Sequence, residues 1–179
     1  SSEEELKKLE KELEETHRKL KEDVERLLRD LDRKVKKVED DSKKLLDELR
    51  KLLEEAKRRG VVSEEVEKRV RDHMKRHEEE LKRIREELER EKEERREELR
   101  RYEEEVKKKR EEDRDDIRRR GVKERDVRKR VKEMKEDNRR ALEDIRRKTE
   151  EVAKKLREIL KKLRENVRRV AEEIKRVAD

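Results

Sequence analysis

Residues 24–56 read VERLLRDLDRKVKKVEDDSKKLLDELRKLLEEA, and the spacing of their apolar residues decides the fold. Val24, Leu27, Leu31, Val35 and Val38 are followed by Ser42, Leu45, Leu49, Leu53 and Ala56, each residue 18 positions after its counterpart. Upstream, Leu6, Leu9, Leu13, His17 and Leu20 stand in the same places. Steps of three and four residues put every one of these positions on one face of an α-helix. Eighteen residues make five turns at 3.6 residues per turn, the repeat of an unstrained helix. A heptad would impose a left-handed supercoil and an 11-residue repeat a right-handed one, so this spacing predicts straight helices with little supercoil.

The period continues through the rest of the chain. Val66, Val70, Met74, His77 and Leu81 recur as Ile84, Leu88, Lys92, Arg95 and Leu99, then as Tyr102, Val106, Arg110, Asp113 and Ile117. The third set is Val127, Val131, Met134, Asn138 and Leu142, then Ile145, Thr149, Val152, Leu156 and Leu160, then Leu163, Val167, Val170, Ile174 and Ala178. Disordered polar sequence holds no such phase through three repeats in three segments.

The segments are divided by the chain's two glycines, Gly60 and Gly121. Arg58-Arg59 and Arg118-Arg119-Arg120 precede them. Cations suit the negative end of the helix dipole, and glycine supplies the left-handed residue that ends a helix. Ser63, followed by Glu64 and Glu65, is a helix N-cap, and Ser2 with Glu5 has capping-box spacing. Glu124 aligns with Ser63 and leaves the third start without a strong cap. The expectation is an all-α, antiparallel, up-down-up three-helix bundle forming one domain. Its helices cover about 3–59, 63–120 and 124–178, its loops 60–62 and 121–123, and the packing is coiled-coil-like. Each helix is roughly 85 Å long at 1.5 Å per residue.

Composition agrees with helix and excludes much else. Of 179 residues 66% are charged, there is no Pro, Cys, Trp or Phe, and Tyr102 is the one aromatic residue. Strands and turns would need aromatics, prolines and glycines. No apolar run exceeds two residues, so no segment has the length of a membrane span. The first five residues lack the basic start and apolar stretch of a signal peptide. Without Cys there is no disulfide framework or thiolate chemistry.

The 18-residue repeat, the equal helices and the Gly60-Val61 and Gly121-Val122 loops resemble a family, that of parametrically designed de novo helical bundles of untwisted geometry. The resemblance covers the whole chain and is one of style, so it carries over no functional residue. It implies a scaffold without evolved activity.

Polar residues at core-phase positions are the candidates for a specialised role. In an up-down-up bundle residue n of the first helix lies level with about 122 − n of the second, and residue m of the second with about 242 − m of the third. His17 then comes level with Tyr102 and Asn138, with Thr16 beside it. Ser42 comes level with His77, which in turn meets Asn166, and Thr149 meets Lys92 and Arg95. These heights predict buried hydrogen-bond networks, which fix helix register because a slipped polar group is buried without a partner at about 1–3 kcal/mol.

No enzyme activity is expected. His73 and His77 are spaced i,i+4, but the His-Glu-x-x-His glutamate is replaced in His73-Met74-Lys75-Arg76-His77, and the level residues Leu45, Leu49 and Asn166 supply no third zinc ligand. Neither a metal nor another cofactor is expected. Residues 1–60 carry 19 cations and 19 anions, residues 61–121 carry 22 and 23, and residues 122–179 carry 22 and 14. The basic third segment favours weak, salt-sensitive contact with phosphates but lacks aromatic platforms and reading motifs, so no specific nucleic acid is expected. A monomer is favoured. The rival is a homo-oligomer or helical binding partner using the widened apolar faces of helices 1 and 3, where Leu27-Leu28, Leu45-Leu46, Leu52-Leu53, Val152-Ala153, Ile159-Leu160 and Val170-Ala171 double the stripe.

Overall fold

Both glycines end a helix through left-handed backbone, each with φ of 69°. At the first, Val61 N–H donates to the Ala56 carbonyl at 3.2 Å and Gly60 N–H to Lys57 at 3.1 Å, the paired bonds of a Schellman cap. At the second, Gly121 N–H donates to the Ile117 carbonyl at 2.9 Å, the bond of an αL cap. Ser63 caps the next start as expected: its Oγ accepts from Val66 N–H at 3.2 Å. At the third start the Lys123 carbonyl accepts from Asp126 and Val127 at 2.9 and 3.2 Å.

The computed structural model describes residues 2–121 and 123–178, without the Ser2 side chain. It has three helices: α1 (Ser2–Arg58), α2 (Glu64–Arg120) and α3 (Glu124–Ala178). The Ser2 capping box and Val122 of the second loop fall outside the described residues.

The chain is an all-α three-helix bundle in which α1 packs most closely with α3. It forms two compact units, one from residues up to Asp30 with Glu91–Glu150, the other from Leu31–Arg90 with residues from Glu151 on. In the first unit Glu14, His17 and Glu25 of α1 pair with Arg110, Glu103 and Arg96 of α2, so one helix descends as the other ascends. There α2 meets α3 in the same antiparallel sense, through Asp113–Arg130, Lys109–Asp137 and Glu98–Lys148. In the second unit Glu39–Arg85 and Lys57–Glu67 again run antiparallel.

The buried stripe keeps its 18-residue phase along each helix. Val24 and Ser42, Leu28 and Leu46, Leu31 and Leu49, and Val35 and Leu53 are all buried, as are Val70 with Leu88, Met74 with Lys92, and Val127 with Ile145. One detail differs from the expected stripe. In five of the doubled pairs of α1 and α3 the second member goes deepest: Leu28, Leu46, Leu53, Ala153 and Leu160 are buried, while Leu27, Leu45, Leu52, Val152 and Ile159 are half-buried; in Val170-Ala171 both are half-buried.

Apolar burial is uneven. Among the described residues the second unit holds one cluster of sixteen buried apolar side chains, including Leu49, Leu88, Leu156 and Leu160. The first unit holds two smaller clusters, one around Leu6, Leu9, Leu13, Ile117, Val127 and Met134, the other around Leu20, Val24, Leu28, Leu99 and Ile145. The polar stretch 107–116 of α2 crosses the first of these on charge rather than apolar cover. Arg114 pairs with Glu10, and Arg130 bridges Asp113 and Asp116 at 3.5 and 3.1 Å. Exposed ion pairs contribute about 0–1 kcal/mol each, less than a buried leucine. Amides of 107–116 should therefore exchange faster than those of 81–88, where Leu81, Ile84 and Leu88 are buried. Hydrogen exchange by mass spectrometry would show it, and equal protection of the two segments would contradict it.

Candidate functional site

The chemistry of this chain resides in the polar side chains its stripe carries inward. In the first unit, Tyr102 of α2 donates its hydroxyl hydrogen to Asn138 Oδ1 of α3, joining two of the three residues expected at this level. Asn138 is buried, and burial together with the Asp137 and Glu105 carboxylates pushes the Tyr102 phenol up to about 12. It stays a neutral donor.

His17, the third residue of that level, is not part of the bond. Its ring lies at the edge of the bundle, about a third exposed, with Nε2 3.4 Å from the Glu103 carboxylate. A carboxylate at the rim suits an imidazole better than an apolar interior, because burial without a partner is costly. Thr16 donates to the Glu12 carbonyl of its own helix. Replacing Tyr102 with Phe should cost about 1–3 kcal/mol, since Asn138 Oδ1 is left buried without a donor. Adding Asn138→Leu should recover part of that loss in a double-mutant cycle. Unchanged urea midpoints for Tyr102→Phe would show that the bond contributes nothing.

Thr149 is buried, as its slot requires, yet it does not bond across to α2. Its Oγ1 donates to the Ile145 carbonyl at 2.7 Å, one turn back on its own helix. Arg95 occupies a largely covered position, and its guanidinium turns toward three glutamates of its own helix, Glu91, Glu94 and Glu98, at 3.9, 3.3 and 3.7 Å. Glu98 extends this to α3, where Lys148 Nζ stands 2.7 Å away and also meets Asp144 at 3.0 Å. Hydrogen bonds to Glu98 and then Asp144 hold the Lys148 ammonium above its ordinary range.

In the second unit the expected Ser42–His77–Asn166 network does not form. Ser42 and His77 are fully enclosed, but Ser42 Oγ and both ring nitrogens of His77 lack hydrogen-bond partners. Asn166 is half-buried, and its Oδ1 accepts from Arg169 of the same helix at 2.9 Å. The heights match, yet the directions do not. Asn166 precedes buried Val167, and one residue is about 100° around a helix, so the amide turns away from the interior. Burial, followed by the neighbouring His73 ring, lowers His77 to about 4. His73 is lowered by its own burial and by the Arg76 charge, with Glu173 opposing.

One buried charge was not legible as a core residue. Glu39 stands one position beyond Val38, which the apolar spacing favours, yet Glu39 is the enclosed one. Arg85 Nη2 of α2 meets its carboxylate at 2.8 Å and Lys43 of α1 at 3.1 Å. Its i,i+4 spacing to Lys43 is a sequence signal, but it occurs throughout this chain and singles out nothing.

Among the described residues no set of three or more His, Asp or Glu side chains is placed to hold a metal, and no helix is long and apolar enough to cross a membrane. No protein family, curated protein or solved structure matches the chain.

Proposed function

We propose that the chain is a de novo designed structural scaffold, a monomeric three-helix bundle whose task is to hold three long helices in register. The observation that carries this reading is the common 18-residue phase of the buried positions on all three helices. Selection for a substrate site leaves irregularities where the site is built, whereas here the interior repeats. The Tyr102–Asn138 bond supports the register role, because a slip of one turn would bury both groups unpaired. The side chains that widen the stripes of α1 and α3 support the monomer. Leu27 packs on the core of the first unit and Leu45, Leu52, Val152 and Ile159 on that of the second, and Val177 is the one large apolar residue exposed among those described.

Light-scattering mass in solution tests the reading. It should correspond to one chain of 22.4 kDa across a range of concentrations. A mass of two or three chains would replace it with a homo-oligomer built on the faces of α1 and α3.

A further inference from the structure

We propose that His73 and His77 form a two-imidazole chelate for a divalent transition metal on the α2–α3 side of the second unit. The two residues are i,i+4 on α2, the spacing that turns two side chains onto one face of a helix one turn apart. Both line a single cleft of about 640 Å³ together with Asn166 and Glu173 of α3. His77 Nδ1 and Nε2 and His73 Nε2 are buried without hydrogen-bond partners. Both rings line the one cleft, and unengaged imidazole nitrogens are donors for Cu²⁺, Ni²⁺ or Zn²⁺.

One further feature favours the ion. The three arginines along the cleft are matched by Glu79, Glu80 and Glu173, and the Glu173 charge acts on His73. The protein supplies two donors, fewer than the closed four-ligand cage of structural zinc, so the remaining coordination positions fall to ligands that enter with the ion. The bound ion also gives the orphaned His77 ring the partner that neither Ser42 nor Asn166 provides.

The test is calorimetric titration of the full chain with NiCl₂ at pH 7.5, read alongside the urea midpoint with and without the ion. Wild type should bind one equivalent and gain stability, because a ligand of the folded state alone raises its midpoint. His73→Gln, at the half-buried end of the pair, should preserve folding. It should weaken binding by at least the roughly 10–100-fold that loss of a mere outer-shell partner costs, and Ni²⁺ should no longer move its midpoint. His17→Gln should bind like wild type. Failure of wild type to bind Ni²⁺ up to millimolar concentration would overturn the proposal. So would undiminished binding by His73→Gln, or loss of binding in His17→Gln.

Discussion

Leu160→Ala should destabilise the protein by about 2–5 kcal/mol, the range for emptying a fully enclosed leucine site whose walls relax only in part. Leu160 has no exposed surface and belongs to the continuous apolar cluster of the second unit, with Leu49, Leu53, Leu88 and Leu156. That cluster draws on all three helices, so a cavity at Leu160 disturbs packing between them, and the loss should fall in the upper half of the range. The same change at Leu27, which is half-buried, should cost markedly less. Urea denaturation of the two variants measures the difference. Equal losses would mean that the second member of Leu27-Leu28 and of Ile159-Leu160 is not the one held inside.

Acidification should destabilise the fold through His77. An imidazole held at about 4 in the folded chain and at about 6.5 when unfolded binds protons preferentially in the unfolded state between those two values. Stability is therefore fully present above about pH 6.5 and is lost progressively as pH falls toward 4, by on the order of 3 kcal/mol at the end of that window. The groups around the ring do not reverse the sign. Ser42 is neutral, and His73 is itself lowered by burial and the Arg76 charge, with Glu173 opposing, so it adds to the effect. Urea midpoints of wild type and His77→Leu at pH 7.0 and 5.5 isolate the contribution. The wild type should lose stability and the variant much less. Parallel behaviour of the two would show that this ring is solvated. His17 lies at the rim beside Glu103, contrary to its expected place in a buried network.

What the amino-acid sequence determined by itself is whatever local chemistry decides. Helix content follows from the absence of proline and the wealth of Glu, Lys and Arg. The breaks at Gly60 and Gly121 follow from left-handed backbone that residues with a Cβ adopt only at a cost, and the clean start at α2 from a serine one residue ahead of it. The buried phase follows from 3.6 residues per turn. Even the height at which Tyr102 meets Asn138 follows, since equal helices and short loops leave one register.

Tertiary structure alone decided the direction of each side chain within that register. A helix packed against two others buries a face wider than one column, and the geometry of its neighbours selects which member of Leu27-Leu28 or Val152-Ala153 lies deepest. The same shift of one residue carried Glu39 inside, where Arg85 from another helix meets it. It also left Asn166 facing Arg169 and His77 without a partner. Height along a bundle is counted in residues, and a sequence supplies that count. Angle around it is set by three surfaces packing at once, and a step of one residue turns a side chain through about 100°.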